Sequence, residues 1–376
     1  MINNPLILAL PPNRVRRNYQ GGLNLDRIAG KTNTSDGDRP EDWLCSLTAA
    51  INPGMTYEAN EGQSGVFING RLMLLRELIE RDPVHYLGKR HSEKYGVQMG
   101  FLAKLLDSSM RLHMQAHPTR EYANKELRKP WGKVECYLIL SVRPGIEPYI
   151  YLGFQKPPTV QEWHRIVTDQ DMPAMLACFE KVPVQPGEAW YVPGGYPHAL
   201  GEGLTLLEVM EPSDLVVRCE FERNGIIVPP SARFMGLDPS EALQIFNYSQ
   251  NSVKDIQRQF RIPAETLTVS GELTEFVRIG PEQIDCFEVR EIWVGRRSEY
   301  FLGERFAVAI VVEGEGEINC GQDNLLVRKG SCCFLTATSN RVQFGPRGSE
   351  RLKILLCLPG RNDDYEVPQA YSGTRD

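Results

Sequence analysis

Polar and apolar side chains alternate most regularly over residues 112–118, which read Leu-His-Met-Gln-Ala-His-Pro. Successive side chains of a β-strand point to opposite faces, so this run predicts a strand with His113, Gln115 and His117 on one face. Two of the six histidines of the chain share that face with a glutamine, whose carbonyl oxygen can also bind a metal ion. We interpret this face as a candidate ligand surface.

From residue 134 onward the sequence is dominated by short apolar and β-branched runs separated by Gly and Pro. The clearest runs are residues 134–140, 149–154 and 189–193. Such spacing is typical of an antiparallel sandwich or barrel and not of alternating strands and helices. The pattern is interrupted after the Pro-rich residues 228–231, resumes near Leu267 and continues to Leu358. The sequence therefore predicts a mainly β protein.

Three segments carry apolar residues at a spacing of three to four, which predicts helices. They are residues 72–81, 159–179 and 239–260. Ser240 is a candidate N-cap for the third segment, because its hydroxyl can accept a hydrogen bond from a backbone N–H of the first turn. These helices are expected as additions to the β architecture.

The chain has 376 residues, more than the roughly 250 to 300 residues at which single cores stop growing. Its later half repeats the order strand, Gly turn and aromatic strand seen in residues 182–193, and this order resembles the cupin fold. We predict two cupin-like jelly-roll barrels: an N-terminal catalytic domain with helical insertions at 1–235, a helical connector at 236–266 and a C-terminal domain at 267–376. No histidine follows His198, so we expect a metal site only in the first domain.

Composition excludes several classes of partner. The formal net charge of −6 leaves no basic surface for a nucleic acid, so small molecules are the expected ligands. No apolar run approaches the ~20 residues of a membrane span, and the N-terminus lacks the segments of a signal peptide, so we expect no membrane partner and a cytoplasmic location. The nine cysteines include no Cys-x-x-Cys pair, which favours reduced thiols over disulfides or structural zinc.

Three clusters in the first half contain metal-binding residue types: residues 115–118, 132–135 and 192–199. Taken singly, Glu135 is an ordinary edge residue of a strand and His198 an ordinary loop histidine. Taken together, two imidazoles, one carboxylate and one amide oxygen suit a divalent ion such as Zn²⁺, with room for water or substrate oxygens. We therefore predict a catalytic metal site and not a structural one.

Six motifs in the same order resemble the type I mannose-6-phosphate isomerases, which are zinc-dependent enzymes built from two cupins. They are residues 41–46, 102–107, 115–118, 132–135, 198–201 and 207–218. The resemblance covers most of the chain. It implies that Gln115, His117, Glu135 and His198 are the metal ligands, the same residue types that the three clusters offer.

The resemblance also implies substrate and catalytic groups. Arg218 matches the family's arginine in the strand after the second histidine of the site, and Glu208 and Asp214 match the acidic positions before it. Lys104 and Lys133 match lysines that lie near the phosphate of the substrate.

Moving a carbonyl between C1 and C2 of a sugar requires removal of the C2 proton, a cis-enediol intermediate and return of the proton to C1. Arg218, a fixed cation with a forked guanidinium, could bind or polarise the sugar oxygens in that intermediate. Asp214, Glu208 and Lys133 are candidate bases, and the sequence does not rank them because a base needs both hydrogen-bond reach and a tuned pKa.

Simpler structural roles compete with two of these assignments. Asp214 and Arg218 are four residues apart and would form a structural ion pair if they shared one strand face. Lys104 would be a surface lysine if its strand lay at the edge of the protein. Arg218 is the stronger catalytic candidate.

Three positions depart from the family pattern. His113 stands where the family carries a small hydroxyl residue that helps to hold the phosphate, Pro212 stands where it carries Asn, and Gln20 where it carries Trp. Pro212 fixes φ and removes a backbone donor, which alters the approach to Asp214. His113 could contact a phosphate, act as a fifth metal ligand or contact an unphosphorylated sugar.

The function predicted from the sequence is that of a metal-dependent aldose–ketose isomerase that interconverts mannose 6-phosphate and fructose 6-phosphate. The alternatives are an isomerase of another or unphosphorylated sugar and a sugar-binding bicupin without turnover. One Zn²⁺ per chain is the expected cofactor, although Mn²⁺, Co²⁺ and Fe²⁺ accept similar ligands. The sequence does not indicate the oligomeric state. It contains no phosphate-binding Gly-rich loop and no Gly-x-Ser-x-Gly motif, which excludes nucleotide hydrolysis and serine esterase chemistry.

Overall fold

The computed structural model describes residues 4–56, 58–348 and 350–361 and consists of two β-barrels with helices on their outer faces. The strands of the chain up to residue 227 are β1 Ile7–Leu10, β2 Arg14–Val15, β3 Glu41–Leu44, β4 Gly65–Ile68, β5 Arg71–Leu74, β6 Leu102–Asp107, β7 Gln115–Ala116, β8 Glu135–Val142, β9 Tyr149–Leu152, β10 Val182–Pro183, β11 Ala189–Val192, β12 His198–Leu200, β13 Leu204–Met210, β14 Val217–Arg218, β15 Glu222–Arg223 and β16 Ile226–Ile227.

The remaining strands belong mainly to the second barrel. They are β17 Arg261–Ile262, β18 Glu265–Val269, β19 Leu273–Ile279, β20 Phe287–Val294, β21 Ser298–Phe301, β22 Ala307–Glu313, β23 Glu315–Cys320, β24 Asp323–Arg328, β25 Cys332–Leu335, β26 Arg341–Pro346 and β27 Leu352–Pro359.

The α-helices of the described chain are short. They are α1 Leu23–Ile28, α2 Leu75–Arg81, α3 Pro83–Leu87, α4 Lys89–Tyr95, α5 Arg120–Lys125, α6 Val160–Asp169, α7 Met172–Ala177, α8 Pro239–Ala242 and α9 Val253–Phe260. Single 3₁₀ turns cover Pro230–Ala232, Leu243–Ile245 and Ala337–Ser339. A helix that spans a bilayer needs about 20 apolar residues. None of the described helices is both long and apolar enough to do so.

Two antiparallel sheets form the first barrel. Among the described residues, one sheet has the order β17-β11-β8-β13-β6-β3-β2 and the other the order β10-β9-β12-β7-β14. Leu106, Ile139 and Leu206 of the larger sheet fill the space between the two sheets, whereas their strand neighbours Leu105 and Leu138 face the second barrel. Because both faces of β6, β8 and β13 are buried, these strands read as continuous apolar runs.

The second barrel repeats this plan. Its larger described sheet has the order β1-β25-β22-β27-β20-β19-β18, and its smaller sheet the order β21-β26-β23-β24. Ile354 and Leu356 of β27 point into the barrel against Phe344, whereas Leu355 and Cys357 face the first barrel. A shared apolar core therefore lies between the two barrels. The predicted mainly β architecture of two barrels with additional helices is confirmed.

The proposed domain limits at residues 235 and 267 stay a prediction. Two strands pair outside the unit that the sequence assigned to them. β1, from the predicted N-terminal domain, pairs with β25 of the second barrel, with Leu8 opposite Phe334. β17, from the predicted connector, pairs with β11 of the first barrel, with Ile262 opposite Ala189. The two barrels are thus joined through β1 as well as by their common core.

The strand predicted over residues 112–118 is too long, and its alternation holds only from His113 onward. Leu112 lies with His113 and Gln115 at the cavity and not with Met114 and Ala116 on the outer face. Regular pairing covers only β7, while Leu112 and Met114 make single backbone hydrogen bonds to Leu200 and Cys219. Met114 and Ala116 are fully buried, as the alternation requires. The strand ends where Pro118 removes a backbone donor.

The first predicted helix, residues 72–81, is wrong in its first three residues. Residues 71–74 form β5, which pairs with β4 in a hairpin. Gly70 adopts a φ of 76° in the connecting turn, a conformation that glycine accepts without strain. The helix therefore begins only at Leu75.

The helix predicted over residues 159–179 is divided into α6 and α7. Gln170 has a φ of 53° and ends α6, and the side chain of Asp171 then accepts a hydrogen bond from the backbone of Ala174 to cap α7. Thr159 caps α6 in a capping box with Glu162. Both helices cover the outer face of the smaller sheet of the first barrel, where Trp163 packs.

The helix predicted over residues 239–260 is also divided. It consists of α8, a 3₁₀ turn, an extended segment and α9. The N-cap predicted at Ser240 is wrong, since Asp238 occupies that position and Ser240 lies inside α8. Ser252 instead caps α9, because its hydroxyl accepts from Asp255 while the Asp255 carboxylate accepts from Ser252.

Candidate active site

The four predicted metal ligands converge at one end of the first barrel. Gln115 and His198 lie directly opposite each other in the pairing of β7 with β12. His117 follows β7, and Glu135 is the first residue of β8 in the other sheet. The two sheets of the barrel therefore bring together residues that are up to 83 positions apart in the sequence.

Short distances join these side chains. Nε2 of His117 lies 3.0 Å from Oε1 of Glu135, and Nε2 of His198 lies 3.5 Å from Oε2 of the same carboxylate. The amide nitrogen Nε2 of Gln115 lies 3.4 Å from Nε2 of His198. His117, Glu135 and His198 each offer one ligand atom, and these three atoms lie within 4.8 Å of one another. All three residues are buried.

The outer nitrogens of both imidazoles are held by backbone carbonyls. Nδ1 of His117 lies 2.7 Å from the carbonyl oxygen of Leu215, and Nδ1 of His198 lies 2.9 Å from that of Tyr196. When Nδ1–H donates to these carbonyls, Nε2 carries the free lone pair and faces the cluster. Both histidines are therefore oriented as metal ligands before any ion is bound.

Burial sets the charge states of the cluster. Burial and the Lys133 ammonium lower the pKa of His117 to about 3. Burial also lowers the pKa of His198. Burial alone raises the pKa of the Glu135 carboxyl, but the charges of His117 and Lys133 bring it well below its usual value. Neutral imidazoles beside an ionised carboxylate are the forms in which these groups bind metals.

The donor set fits a divalent zinc ion. Zinc–nitrogen and zinc–oxygen bonds of about 2.0 to 2.1 Å at tetrahedral angles place neighbouring ligand atoms roughly 3.3 Å apart. The separations of 3.0 and 3.5 Å from the Glu135 carboxylate oxygens to Nε2 of His117 and of His198 lie around that value. Tyr137 holds the carboxylate of Glu135 in place by donating a hydrogen bond of 2.5 Å to Oε2.

A narrow cavity of about 30 Å³ opens beside this cluster. Four cationic side chains and three carboxylates line it: Arg17, Lys104, Lys133, Arg218, Glu41, Glu135 and Glu208. The cavity contains two of the metal-ligand candidates, Gln115 and Glu135. Metal and substrate would therefore share one space.

Lys104 and Glu208 form an ion pair in the wall of the cavity. They lie opposite each other in the pairing of β6 with β13, with Nζ 2.7 Å from Oε2 of Glu208 and 3.4 Å from Oε2 of Glu41. Lys104 is only 3% exposed, so it is not a surface lysine. Burial and the nearby charge of Glu135 raise the pKa of Glu208 to about 8.

Lys133 and Arg218 both face the cavity but have different partners. Nζ of Lys133 lies 3.1 Å from Oε1 of Glu135, beside the predicted metal position. Arg218 donates a hydrogen bond of 2.6 Å to the carbonyl oxygen of Ala232. Burial, with the charge of Arg17 next, lowers the pKa of Arg218 to about 10. Its guanidinium is still a cation at neutral pH.

Asp214 lies outside the residues that line the cavity. Its two carboxylate oxygens accept hydrogen bonds of 2.9 Å each from Arg17, and Oδ2 accepts another from the backbone of Ile51. The fork of Arg17 thus occupies the carboxylate, and the ion pair considered between Asp214 and Arg218 is replaced by this one. Although burial opposes ionisation, Arg17 holds the pKa of Asp214 well below its usual value.

His113 lines the cavity and is 3% exposed, and its Nε2 has no hydrogen-bond partner in the described chain. Burial and the charges of Arg218, Arg111 and Arg223 lower its pKa to about 3. The imidazole is therefore neutral in the absence of a ligand. The structure places it beside the predicted substrate space and outside the cluster of His117, Glu135 and His198.

Four residues of this site were not predicted from the sequence. They are Arg17, Glu41 and Tyr137, which form hydrogen bonds or ion pairs with the predicted residues, and Tyr19, which donates a hydrogen bond to Glu41. Tyr137 follows Glu135 by two positions, so the period of a strand could have placed both on one face. Arg17 reaches the site from a segment 197 residues away from Asp214, and no local pattern indicates that contact.

Comparison with known proteins yields two long matches. Over 260 residues, which are 67% of this chain and 74% of the relative, the chain is 30% identical to "Putative mannose-6-phosphate isomerase YvyI" of Bacillus subtilis strain 168. It is 25% identical over 281 residues to the mannose-6-phosphate isomerase of Streptococcus mutans serotype c, which covers 73% of this chain and 82% of the relative. No family model matches the chain.

A solved structure shares the fold. The crystal structure of mannose 6-phosphate isomerase from Salmonella typhimurium, bound to fructose 6-phosphate and zinc, superposes with a TM-score of 0.68 at 16% identity and covers 95% of this chain and 100% of that chain. The predicted cupin architecture is thereby confirmed. Together with the 30% identity over most of a relative, this match shows that the chain belongs to the type I mannose-6-phosphate isomerase family.

Proposed function

We propose that this protein is a metal-dependent aldose–ketose isomerase that interconverts mannose 6-phosphate and fructose 6-phosphate. The observation that carries this proposal is the convergence of Gln115, His117, Glu135 and His198 at one end of a charged cavity. Family membership and the names of the relatives support the choice of substrate. The acids and cations that line the same cavity supply the rest of the chemistry.

Gln115, His117, Glu135 and His198 would hold one divalent ion, with Zn²⁺ the best fit to two imidazoles and a carboxylate. Such an ion supplies a Lewis acid that stabilises negative charge developing on the sugar oxygens. Lys133 and Tyr137 hold the carboxylate of Glu135 in position through contacts of 3.1 and 2.5 Å.

We place proton transfer on Glu208. Its carboxyl group faces the cavity and is not among the metal-ligand candidates. Its raised pKa of about 8 lies near neutral pH, so the ionised form can take the C2 proton and the protonated form can return it to C1. Of the other predicted bases, Asp214 has its oxygens occupied by Arg17, and the Lys133 ammonium is directed to Glu135. Lys104 lies 2.7 Å from Glu208 and fixes the position of its carboxyl group.

Arg218 stabilises the charge that spreads over the enediol oxygens when the proton leaves. Its guanidinium lines the cavity, and no carboxylate pairs with it in the described chain, so its cationic charge is available to a ligand. With Arg17, Lys104 and Lys133 it gives the cavity one more cation than carboxylates. That balance favours an anionic substrate such as a sugar phosphate, and Lys104, Lys133 and His113 are the proposed contacts to it.

Assays of the purified, Zn²⁺-loaded protein with mannose 6-phosphate and with free mannose test this function. We expect turnover of the phosphorylated sugar and incorporation of solvent deuterium at C2. Turnover of free mannose alone would assign the site to an unphosphorylated sugar. Tight binding of mannose 6-phosphate without deuterium incorporation would show a sugar-binding protein that lacks turnover.

We also propose a cytoplasmic location, which the nine free cysteines of the chain support, because reduced thiols are typical of that compartment. A sugar phosphate is the proposed partner of the site. We keep the proposed division into a catalytic domain at 1–235, a connector at 236–266 and a second cupin domain at 267–376, with the metal site only in the first.

A further inference from the structure

Two cysteine thiols meet where the two barrels join. Cys45 directly follows β3 of the first barrel, and Cys332 begins β25 of the second barrel. Their Sγ atoms are 3.7 Å apart, although the residues are 287 positions apart in the sequence. A disulfide bond is about 2.0 Å long, so movements of under 1 Å by each sulfur would close the gap.

An open cavity makes this pair accessible. It has a volume of about 200 Å³, and both Cys45 and Cys332 line it. Cys332 is partly exposed, whereas Cys45 is only 1% exposed. Burial raises the pKa of the Cys45 thiol well above its usual value. A small reagent would therefore meet Cys332 first and find Cys45 directly behind it.

The backbone at Cys45 is strained. Its φ is 50°, in the left-handed region that residues with a Cβ atom rarely adopt. Strain of this kind persists only where the surrounding structure enforces it, and it clusters at functional positions. Here it accompanies a short contact between thiols that belong to two different barrels, and this contact is independent of the metal cluster.

We propose that Cys45 and Cys332 are a reversible modification site at which hydrogen peroxide forms a disulfide between the two barrels. In the first step an oxygen of the peroxide bonds to Sγ of Cys332 as the O–O bond breaks, which leaves a sulfenic acid and one water. In the second step Sγ of Cys45 bonds to Sγ of Cys332, and the hydroxyl leaves with the Cys45 proton as a second water. Two thiols are oxidised by two electrons and one peroxide is reduced.

The bond would restrain the strand that reaches the candidate active site. Cys45 is adjacent to the end of β3, and Glu41 at the start of that strand lines the cavity that holds Lys104 and Glu208. In the second barrel, β25 pairs with β1 and with β22. The disulfide would therefore connect the first barrel to the strand next to the edge of the second barrel's larger sheet.

Intact-mass measurement of the native full-length protein tests this proposal. We expect hydrogen peroxide to lower the mass of the acid-denatured protein by 2 Da and dithiothreitol to restore it. Peptide mapping should show one cross-link, between the peptide that contains Cys45 and the tryptic peptide of residues 330–341. That peptide also contains Cys333, so variants must assign the sulfur.

Cys332→Ala and Cys333→Ala are a matched pair for this purpose. Cys333 is 1% exposed and packs inside the second barrel, on the opposite face of the same strand. We expect Cys332→Ala to abolish the 2 Da loss and Cys333→Ala to retain it. The proposal is overturned if the parent shows no such loss, if the loss survives in folded Cys332→Ala, or if the cross-link involves another cysteine.

Discussion

The side chains of Gln115 and His198 face each other across the pairing of β7 with β12, and the Gln115 amide lies 3.4 Å from Nε2 of His198. Because these two residues are neighbours in the smaller sheet, their relative positions depend on strand register and not on a flexible loop. A slip of either strand by one residue would turn its own side chain to the opposite face of the sheet and separate the pair. The proposed metal site is therefore as well fixed as the barrel itself.

Removal of a ligand should remove the metal. We expect the native protein to contain close to one equivalent of metal, and His198→Ala and Gln115→Ala to lose both the metal and more than about 100-fold of the isomerase activity, since the charge on the sugar oxygens is then unsupported. Metal analysis beside an activity assay provides the measurement. His164→Ala, which changes a histidine on α6 outside the site, should leave both values unchanged.

Arg218→Lys should lower kcat for mannose 6-phosphate by about 100-fold or more, with a smaller change in KM. A lysine keeps the positive charge but lacks the planar fork that can contact two oxygens of the enediol at once. Steady-state kinetics of the parent and the variant give the comparison. Equal kcat values would place Arg218 outside the chemical step.

Glu208→Gln should abolish the incorporation of solvent deuterium into the sugar while the bound metal is retained. The amide keeps the size of the side chain but cannot accept the C2 proton. Deuterium exchange followed by NMR, together with metal analysis, tests the assignment. If Glu208→Gln still exchanges deuterium and Lys133→Gln with bound metal does not, the base is Lys133.

Asp214→Asn should act mainly on stability. The variant removes one of the two carboxylates beside the buried Arg17 guanidinium and leaves only Glu41, 3.4 Å from its Nε. Breaking a buried ion pair typically costs about 3 to 5 kcal/mol, and we take the lower end, about 3 kcal/mol, because one partner remains. We expect the free energy of unfolding to fall by about that amount in urea titrations at neutral pH. Because Asp214 does not line the cavity, the folded variant should retain its deuterium exchange. Loss of exchange at unchanged stability would make Asp214 a catalytic residue.

His91 should contribute to acid sensitivity. Burial lowers its pKa from 6.5 to about 4, and its Nε2 lies 2.7 Å from the carbonyl oxygen of Gln98. Between these two pH values the unfolded chain binds a proton that the folded protein does not, so the contribution of this group to stability falls as the pH drops from 6.5 to 4. The loss can reach about 3 kcal/mol.

Urea titrations of the parent and of His91→Gln at pH 7 and pH 4.5 measure this effect. The variant lacks the titrating group, so the difference in its free energy of unfolding between the two pH values should be smaller than in the parent. Equal differences in the two proteins would show that other groups cause the acid sensitivity.

The local pattern of the sequence was sufficient to predict the candidate metal ligands. Alternation around Gln115 and His117 gave the correct face of the strand, because the period of two follows from backbone geometry and survives even where regular pairing is short. Helix limits were less predictable. Gly70 at a hairpin turn and Gln170 in a left-handed conformation divided or shortened helices whose apolar spacing looked continuous.

Local features of the sequence were enough to predict a two-barrel β protein with four candidate metal ligands in its first half, because side-chain period, turn residues and motif order are local properties. Which charged groups meet became visible only in the folded structure. Arg17 pairs with Asp214 and Lys104 pairs with Glu208. Two thiols 287 residues apart also come into contact. Such contacts depend on how distant strands are ordered and packed, and strand order is a property of the whole folded chain.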